Sequence, residues 1–256
     1  MRLEGRVAFV AGASRNVGKA TALAFAREGA DLILNASQSR DELEAVAAEC
    51  RAIGVQALPI LADVSDYEQV NAMVAHGLAE FGKIDILMNS VAIRPKGTIQ
   101  ELSYEEFHKV IALDVHAAFY MCKAIVPGME ERRAGSVIMV GGLATYLAAD
   151  RSSTAHIAGK HGLAGFVKAL AKEVGQYGVR ANILNVSLLD SERRHPEWYP
   201  HVDGGMVQQS AEHLRQSPLG RPGRLEEVAS AALFLASDDS SYVTGASLLC
   251  SGGRGI

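Results

Sequence analysis

His156 and Lys160 stand four positions apart in the run Thr154-Ala155-His156-Ile157-Ala158-Gly159-Lys160, a spacing that puts both on one face of a helix. An imidazole, with an ordinary pKa of about 6.5, suits proton transfer near neutral pH. A lysine ammonium one turn away disfavours a second positive charge, so the spacing predicts a neutral His156. A neutral imidazole is a good base and a poor acid. The pair therefore points to proton abstraction, as in alcohol oxidation or enolisation, ahead of carbonyl protonation. The bland alternative is a histidine that only fills space. His161, five residues beyond His156, is badly spaced to share a metal on that face. His195 and His201 fall in an irregular polar stretch, and no metal site is expected.

A second chemical feature opens the chain. Ala11-Gly12-Ala13-Ser14-Arg15-Asn16-Val17-Gly18 follows the apolar run Val7–Val10 and precedes an amphipathic stretch. A glycine-rich turn between a strand and a helix lets backbone N–H groups approach a pyrophosphate at the helix's positive end. Gly12 and Gly18 fit its first and last positions, and Asn16 stands where a middle glycine is usual. Asparagine tolerates positive φ better than other non-glycine residues, so the turn survives. The second strand ends in Asn35-Ala36-Ser37-Gln38-Ser39-Arg40, without the carboxylate that would accept from a ribose 2′-hydroxyl. Arg15, Ser37, Ser39 and Arg40 offer cations and hydroxyls to a 2′-phosphate, which favours NADP(H) over NAD(H). The alternative is that both arginines are solvated surface.

The elements that must position these residues alternate from end to end. Apolar runs at 6–11, 31–35, 56–61, 84–89, 135–140, 179–186 and 246–250 predict strands. Amphipathic segments near 17–29, 40–53, 66–81, 103–131, 155–176 and 225–237 predict helices. Strands apolar throughout imply burial on both faces, as in a parallel sheet covered by helices. The expected fold is α/β: one doubly wound Rossmann-type domain over residues 1–256 with a seven-stranded parallel sheet. The irregular stretch around 187–217 follows the sixth strand, where ligands of such sheets bind, and is expected to be a substrate flap. Gly159, Gly162, Gly165 and Gly175 each weaken a helix by roughly 1 kcal/mol relative to alanine. They imply close approach of another backbone, within the monomer or from a second subunit.

Composition excludes several classes. The net charge of −4 and scattered Lys and Arg argue against nucleic acid as a partner. No run approaches the roughly 18 apolar residues of a membrane span, and the first residues carry no leader pattern. Cys50, Cys122 and Cys250 are odd in number and lack ligand spacing, as expected of free thiols in a reducing cytoplasm.

Together these segments resemble the short-chain dehydrogenase/reductase family over nearly the whole chain. Residues 11–18 resemble its TGxxxGxG turn. Asp63-Val64 resembles the pair that holds the adenine, and Ile86–Ala92, with Asn89, resembles its NNAG segment. Pro218–Arg221, Val243–Gly245 and Gly252-Gly253 resemble its C-terminal pattern. The resemblance implies a small-molecule substrate, a homotetramer or dimer, and a lysine, Lys160, that binds the nicotinamide ribose. At the catalytic positions the chain departs from it. The family's asparagine becomes Asp114, its serine Gly142, its tyrosine His156, and its proline-glycine Val186-Ser187; only Lys160 is retained.

A positioned acid or base contributes about 10²–10⁴ in rate and an oxyanion donor about 10²–10³, so carbonyl reduction needs substitutes for the absent tyrosine and serine. His156 is the candidate acid or base, and Asp114 stabilises its cation if the two lie close. Thr145, Tyr146, Ser152, Ser153 and Thr154 are the candidate hydroxyls. Three readings follow. The first is an NADP(H)-dependent oxidoreductase with a non-standard site, acting on an organic alcohol or ketone through His156, Lys160 and Asp114. The second is a non-redox isomerase, dehydratase or lyase using His156 as base. The third is a catalytically silent NADP-binding subunit or sensor.

Overall fold

The computed structural model describes residues 1–148, 154–192, 202–203, 206–207 and 215–256. Strands β1 (Val7–Ala11), β2 (Asp31–Ala36), β3 (Ala57–Leu61), β4 (Ile86–Asn89), β5 (Gly135–Gly142) and β6 (Val179–Val186) are joined by right-length helical crossovers. A short antiparallel hairpin, β7 (Val202–Asp203) with β8 (Met206–Val207), precedes the last strand, β9 (Ser247–Cys250). The seven-stranded sheet runs in the order β3-β2-β1-β4-β5-β6-β9, parallel at every pairing. Chain order reverses between β1 and β4, which opens a crevice at the carboxyl ends of the strands.

Helices cover both faces because the strands are apolar on both. On one face α3 (Tyr67–Phe81), α5 (Ala117–Arg132) and α6 (Thr154–Val174) bury Met73, Met121, Ile125, Leu163 and Val167 against Val137, Met139 and Ile183. On the other, α1 (Asn16–Arg27), α2 (Arg40–Ile53) and α7 (Leu225–Ala236) bury Phe25, Leu43, Val46, Val228 and Leu235 against Ile138, Val140 and Leu184. Asp66 caps α3 by accepting the N–H groups of Glu68 and Gln69, and a Ser103–Glu106 capping box starts α4 (Tyr104–Ile111).

The predicted continuous helix over 103–131 is broken. Between α4 and α5 the residues Ala112–His116 form a π-turn, in which one extra residue per turn rotates Asp114 into the interior. The same run amends the membrane expectation: Tyr104–Arg132 is long and apolar enough to cross a bilayer by length and composition, with a mean hydropathy of 1.5. Met121, Cys122, Ile125 and Met129 are instead buried against the sheet.

The glycines of α6 are explained largely within the monomer. A Cβ on Gly159 would lie 2.6 Å from Asp114 Oδ2, and one on Gly162 would lie 3.0 Å from Val115 Cγ2. Both face the π-turn. Gly165 faces open space, and Gly175 lies in the 3₁₀ turn after α6.

Candidate active site

The nucleotide cradle is built by β1, its following turn and α1. Gly12 has φ +76°, and a Cβ there would sit 2.8 Å from Ser90 Oγ; a Cβ on Gly18 would run into the Gly12 carbonyl oxygen. The two glycines thus hold the helix start tight against the strand ends and leave the turn's backbone bare for a pyrophosphate. Asn16 adopts φ 48°, the left-handed region a glycine usually fills. Its side chain has a further use that no local pattern signals. Asn16 Nδ2 donates to the Glu192 carbonyl at 3.0 Å, while the Glu192 N–H donates to Asn16 Oδ1 at 3.1 Å. This two-point clasp ties the chain after β6 to the phosphate turn.

Ser14, Arg15, Asn16 and Lys19 form one wall of a cleft of about 470 Å³ that Glu42, Ala45, Asp190, Ser191, Glu192 and Leu225 complete. Val17 lies just inside α1, packed against the core on that side of the sheet. At the end of β2, Ala36 is buried and Ser37 and Arg40 are exposed, and the chain places no carboxylate before Asp41. Glu42 does enter the cleft, and Lys19 is held by Glu49 at 2.7 Å, so Arg15 is the cation of the turn that remains for a phosphate. Asp63 Oδ1 takes the N–H and hydroxyl of Ser65, above a buried Val64. Asn89 is buried and accepts the Val91 N–H at 3.0 Å. These residues fit a dinucleotide: a cradle that any added Cβ would obstruct, and a β2 end free of negative charge.

Of the candidate catalytic residues, Lys160 and Asp114 meet near the carboxyl end of β5. Lys160 reaches from α6 to donate to the Val140 carbonyl at 3.1 Å, and its Nζ lies 2.9 Å from Asp114 Oδ1. The contact is an ion pair without the alignment of a good hydrogen bond. Burial pushes the Asp114 carboxyl above its ordinary value, and the Lys160 charge only partly offsets that. His156 is half-buried one turn earlier on α6. Gly142 ends β5 with φ −173° and ψ −174°, extended backbone open to any residue.

The candidate hydroxyls fare differently. Thr145 is buried, its single proton contested by two acceptors, the Gly142 carbonyl at 2.8 Å and Asn185 Oδ1 at 3.0 Å. It is consumed by the fold and does not replace the serine. Tyr146 is 39 % exposed and its hydroxyl lies towards the C-terminal tail, 3.4 Å from the position of a Cβ on Gly255. Thr154 is exposed at the start of α6. Ser152, Ser153, His195 and His201 lie outside the described residues. His161 is exposed, with Nδ1 3.0 Å from the Ile157 carbonyl oxygen. Of the expected flap, residues 187–192 are anchored: Leu189 and Ser191 are buried, the Asp190 N–H donates to the Gly223 carbonyl, and the Gly223 N–H donates to the Leu188 carbonyl. Ser217, at its far end, is buried as well. Residues 193–201, 204–205 and 208–214 lie outside the described set.

Comparison with known proteins agrees with this architecture. A family profile described as enoyl-(acyl carrier protein) reductase matches residues 12–254. The 3-oxoacyl-(acyl-carrier-protein) reductase FabG of Thermotoga maritima is 32 % identical over 253 residues, covering 99 % of each chain. D-threitol dehydrogenase of Mycolicibacterium smegmatis is 34 % identical over 255 residues, covering 100 % of this chain and 95 % of the other. Among solved structures, a blue fluorescent protein from a metagenomic library in complex with NADPH superposes with a TM-score of 0.91 at 29 % identity over all of both chains. The chain belongs to the short-chain dehydrogenase/reductase family.

Proposed function

We propose that this chain is an NADP(H)-dependent oxidoreductase for an organic ketone–alcohol pair, with His156 in the role of the family tyrosine. The buried Asp114–Lys160 pair carries the reading. A lone lysine would hold His156 neutral; with Asp114 compensating that charge, an imidazolium on the same helix face is no longer opposed. His156 then serves as acid in reduction and as base in oxidation, where the sequence alone pointed to a base.

When bound, the nicotinamide supplies or accepts a hydride. Arg15, Ser37 and Arg40 would hold a 2′-phosphate, Gly12, Ser14, Asn16, Val17 and Gly18 the pyrophosphate, and Asp63, Val64 and Asn89 the adenine end. Lys160, fixed by Asp114 and the Val140 carbonyl, would bind the nicotinamide ribose. A ring nitrogen of His156 gives or takes the substrate proton.

Homo-oligomerisation, as dimer or tetramer, is supported by the exposed small residues Ala158, Gly165 and Ala169 on α6 and by exposed Leu219, Tyr242 and Ile256 near the C-terminus. A cytoplasmic setting is supported by three free thiols, of which burial pushes Cys50 up to about 11.

The test is a substrate panel with NADPH or NADP⁺, including acetoacetyl-CoA as a β-keto thioester and threitol as a polyol, with His156→Ala as control. Turnover lost in His156→Ala supports the reading. Redox-silent conversion of a substrate dependent on His156 would move it to a lyase or isomerase. NADPH binding without any turnover would make it a silent subunit.

A further inference from the structure

At the carboxyl end of the sheet two buried hydroxyls, Ser187 Oγ and Ser251 Oγ, have no hydrogen-bond partner among the described residues. A buried, unsatisfied hydroxyl destabilises a fold, and each such group calls for an explanation. Ser187 stands beside the place where the site lacks a donor. β5 and β6 stay in register to their ends, where Gly142 lies opposite Val186. A Cβ built on Gly142 points at the Val186 carbonyl oxygen, 3.3 Å away. Ser187 is the next residue across that peptide.

The face is also right. Asn185 meets Thr145 on the α6 side of the sheet, and Val186 packs into the opposite cluster with α1 and α7. Continuing that alternation one residue past the end of β6 at Val186 carries Ser187 back to the α6 face, which holds His156 and Lys160. Thr145 is already engaged, whereas Ser187 Oγ has no partner among the described residues and keeps its proton to donate. Ser251 is one strand further out, following Cys250, the β9 partner of Val186.

We propose that Ser187 is a catalytic residue that replaces the family serine from the neighbouring strand: its Oγ–H donates to the substrate's carbonyl or alkoxide oxygen. It rests on the ketone–alcohol reading above. The role makes and breaks no covalent bond. The substrate class it implies is a carbonyl or secondary alcohol whose oxygen is seated between the end of β6 and α6, displaced towards β6 relative to a donor on residue 142.

The experiment separates binding of a carbonyl oxygen from turnover. Isobutyramide, an amide whose carbonyl accepts hydrogen bonds without being reduced, is titrated into the protein–NADPH complex and followed by nicotinamide fluorescence. Ser187→Ala should weaken it about tenfold, the effect of one lost charge-independent hydrogen bond at the upper end of its range. Ser251→Ala should leave it unchanged. Adding Gly142→Ser to Ser187→Ala should restore most of the affinity by returning a hydroxyl to the neighbouring strand. NADPH affinity and melting temperature should not fall in Ser187→Ala, because its hydroxyl bonds nothing among the described residues. With a substrate in hand, kcat in Ser187→Ala should fall about 10²–10³, with KM rising by no more than the roughly tenfold loss seen for isobutyramide.

Unchanged isobutyramide binding in Ser187→Ala, no binding by the unmodified protein, or a joint loss of melting temperature and NADPH affinity would each overturn the proposal. Turnover that survives Ser187→Ala overturns it and leaves the oxidoreductase reading standing. Ser187-dependent isobutyramide binding in a protein that turns over no substrate does the reverse.

Discussion

Asp114 and Lys160 form an ion pair at 2.9 Å in which the side chains are 1 % and 4 % exposed. The π-turn Ala112–His116 delivers the carboxylate, and Gly159 leaves room for it, since a Cβ there would crowd Oδ2. The pair fixes the lysine and cancels its charge in one contact. His156, one turn away, is the group whose proposed chemistry depends on that cancellation.

The first prediction concerns His156 and pH. Reduction that needs a protonated acid at position 156 should slow as pH rises, and oxidation that needs the deprotonated base should speed up. His156→Ala should lower kcat by about 10²–10⁴ in both directions. NADPH affinity, read by fluorescence titration, should hold. An active protein indifferent to His156→Ala would remove the assignment.

Restoring the family residues tests whether the cradle is otherwise competent. Gly142 has extended dihedrals, and a Cβ there meets only the Val186 carbonyl oxygen at 3.3 Å, so Gly142→Ser fits with a shift of a few tenths of an ångström. The double variant Gly142→Ser with His156→Tyr should reduce a ketone panel with NADPH. A well-folded, NADPH-binding double variant with no activity would show that the divergence runs deeper than two side chains.

Arg15→Ala should weaken NADPH by about 1.5–3 kcal/mol, the loss of a hydrogen bond to a charged group, and leave NADH nearly untouched. Equal losses for both coenzymes would place Arg15 at the pyrophosphate, and tighter NADH than NADPH binding by the unmodified protein would reverse the coenzyme preference.

The fourth prediction is the pH dependence of folding. Asp114 is raised above its ordinary 3.8 by burial, so its stabilising contribution is complete below that value and is lost as pH rises through the folded pKa. Glu227 is lowered from 4.5 to about 2 by the Arg221 guanidinium and the Arg224 N–H, so its contribution is present above 4.5 and is lost as pH falls towards 2. Urea unfolding of Asp114→Asn and Glu227→Gln should flatten these two opposite slopes, each in its own window. At neutral pH Asp114→Ala should cost about 3–5 kcal/mol by leaving a buried ammonium unpaired. Asp114→Asn, which keeps an acceptor for Lys160 and removes the desolvated charge, should cost clearly less than Asp114→Ala. Equal effects of the two would show that only the carboxylate's charge matters and would remove any role for the retained acceptor.

Sedimentation tests the association proposal. At micromolar concentration the protein should run as a dimer or tetramer, and a bulky charge at an open position, Gly165→Glu, should shift it towards monomer. A clean monomer before substitution removes the proposal.

The sequence by itself determined the fold class, the nucleotide turn and the helical pairing of His156 with Lys160. Each is written in a local period: Val, Ile and Leu runs that can only be buried on both faces, glycines at turn spacing, and residues four apart on a helix. Fold and strand positions therefore read off directly, to within a residue or two at most ends. Tertiary structure decided the rest. The run 103–131 carries no local sign of the π-turn that brings Asp114 to Lys160, because the extra residue is accommodated by packing against Gly159 and Gly162 on α6. Asn16 reads as a tolerated glycine substitute, yet its partner, Glu192, is 176 residues away. Thr145 reads as a free hydroxyl until Asn185, on a different strand, claims it. Ser187 reads as a lost proline-glycine, and only the register of β6 against β5 sets it beside Gly142. Periodicity records which face a residue occupies within its own element; which residue of another element it meets is set by strand register and helix docking, and these are fixed by the summed packing of the whole core.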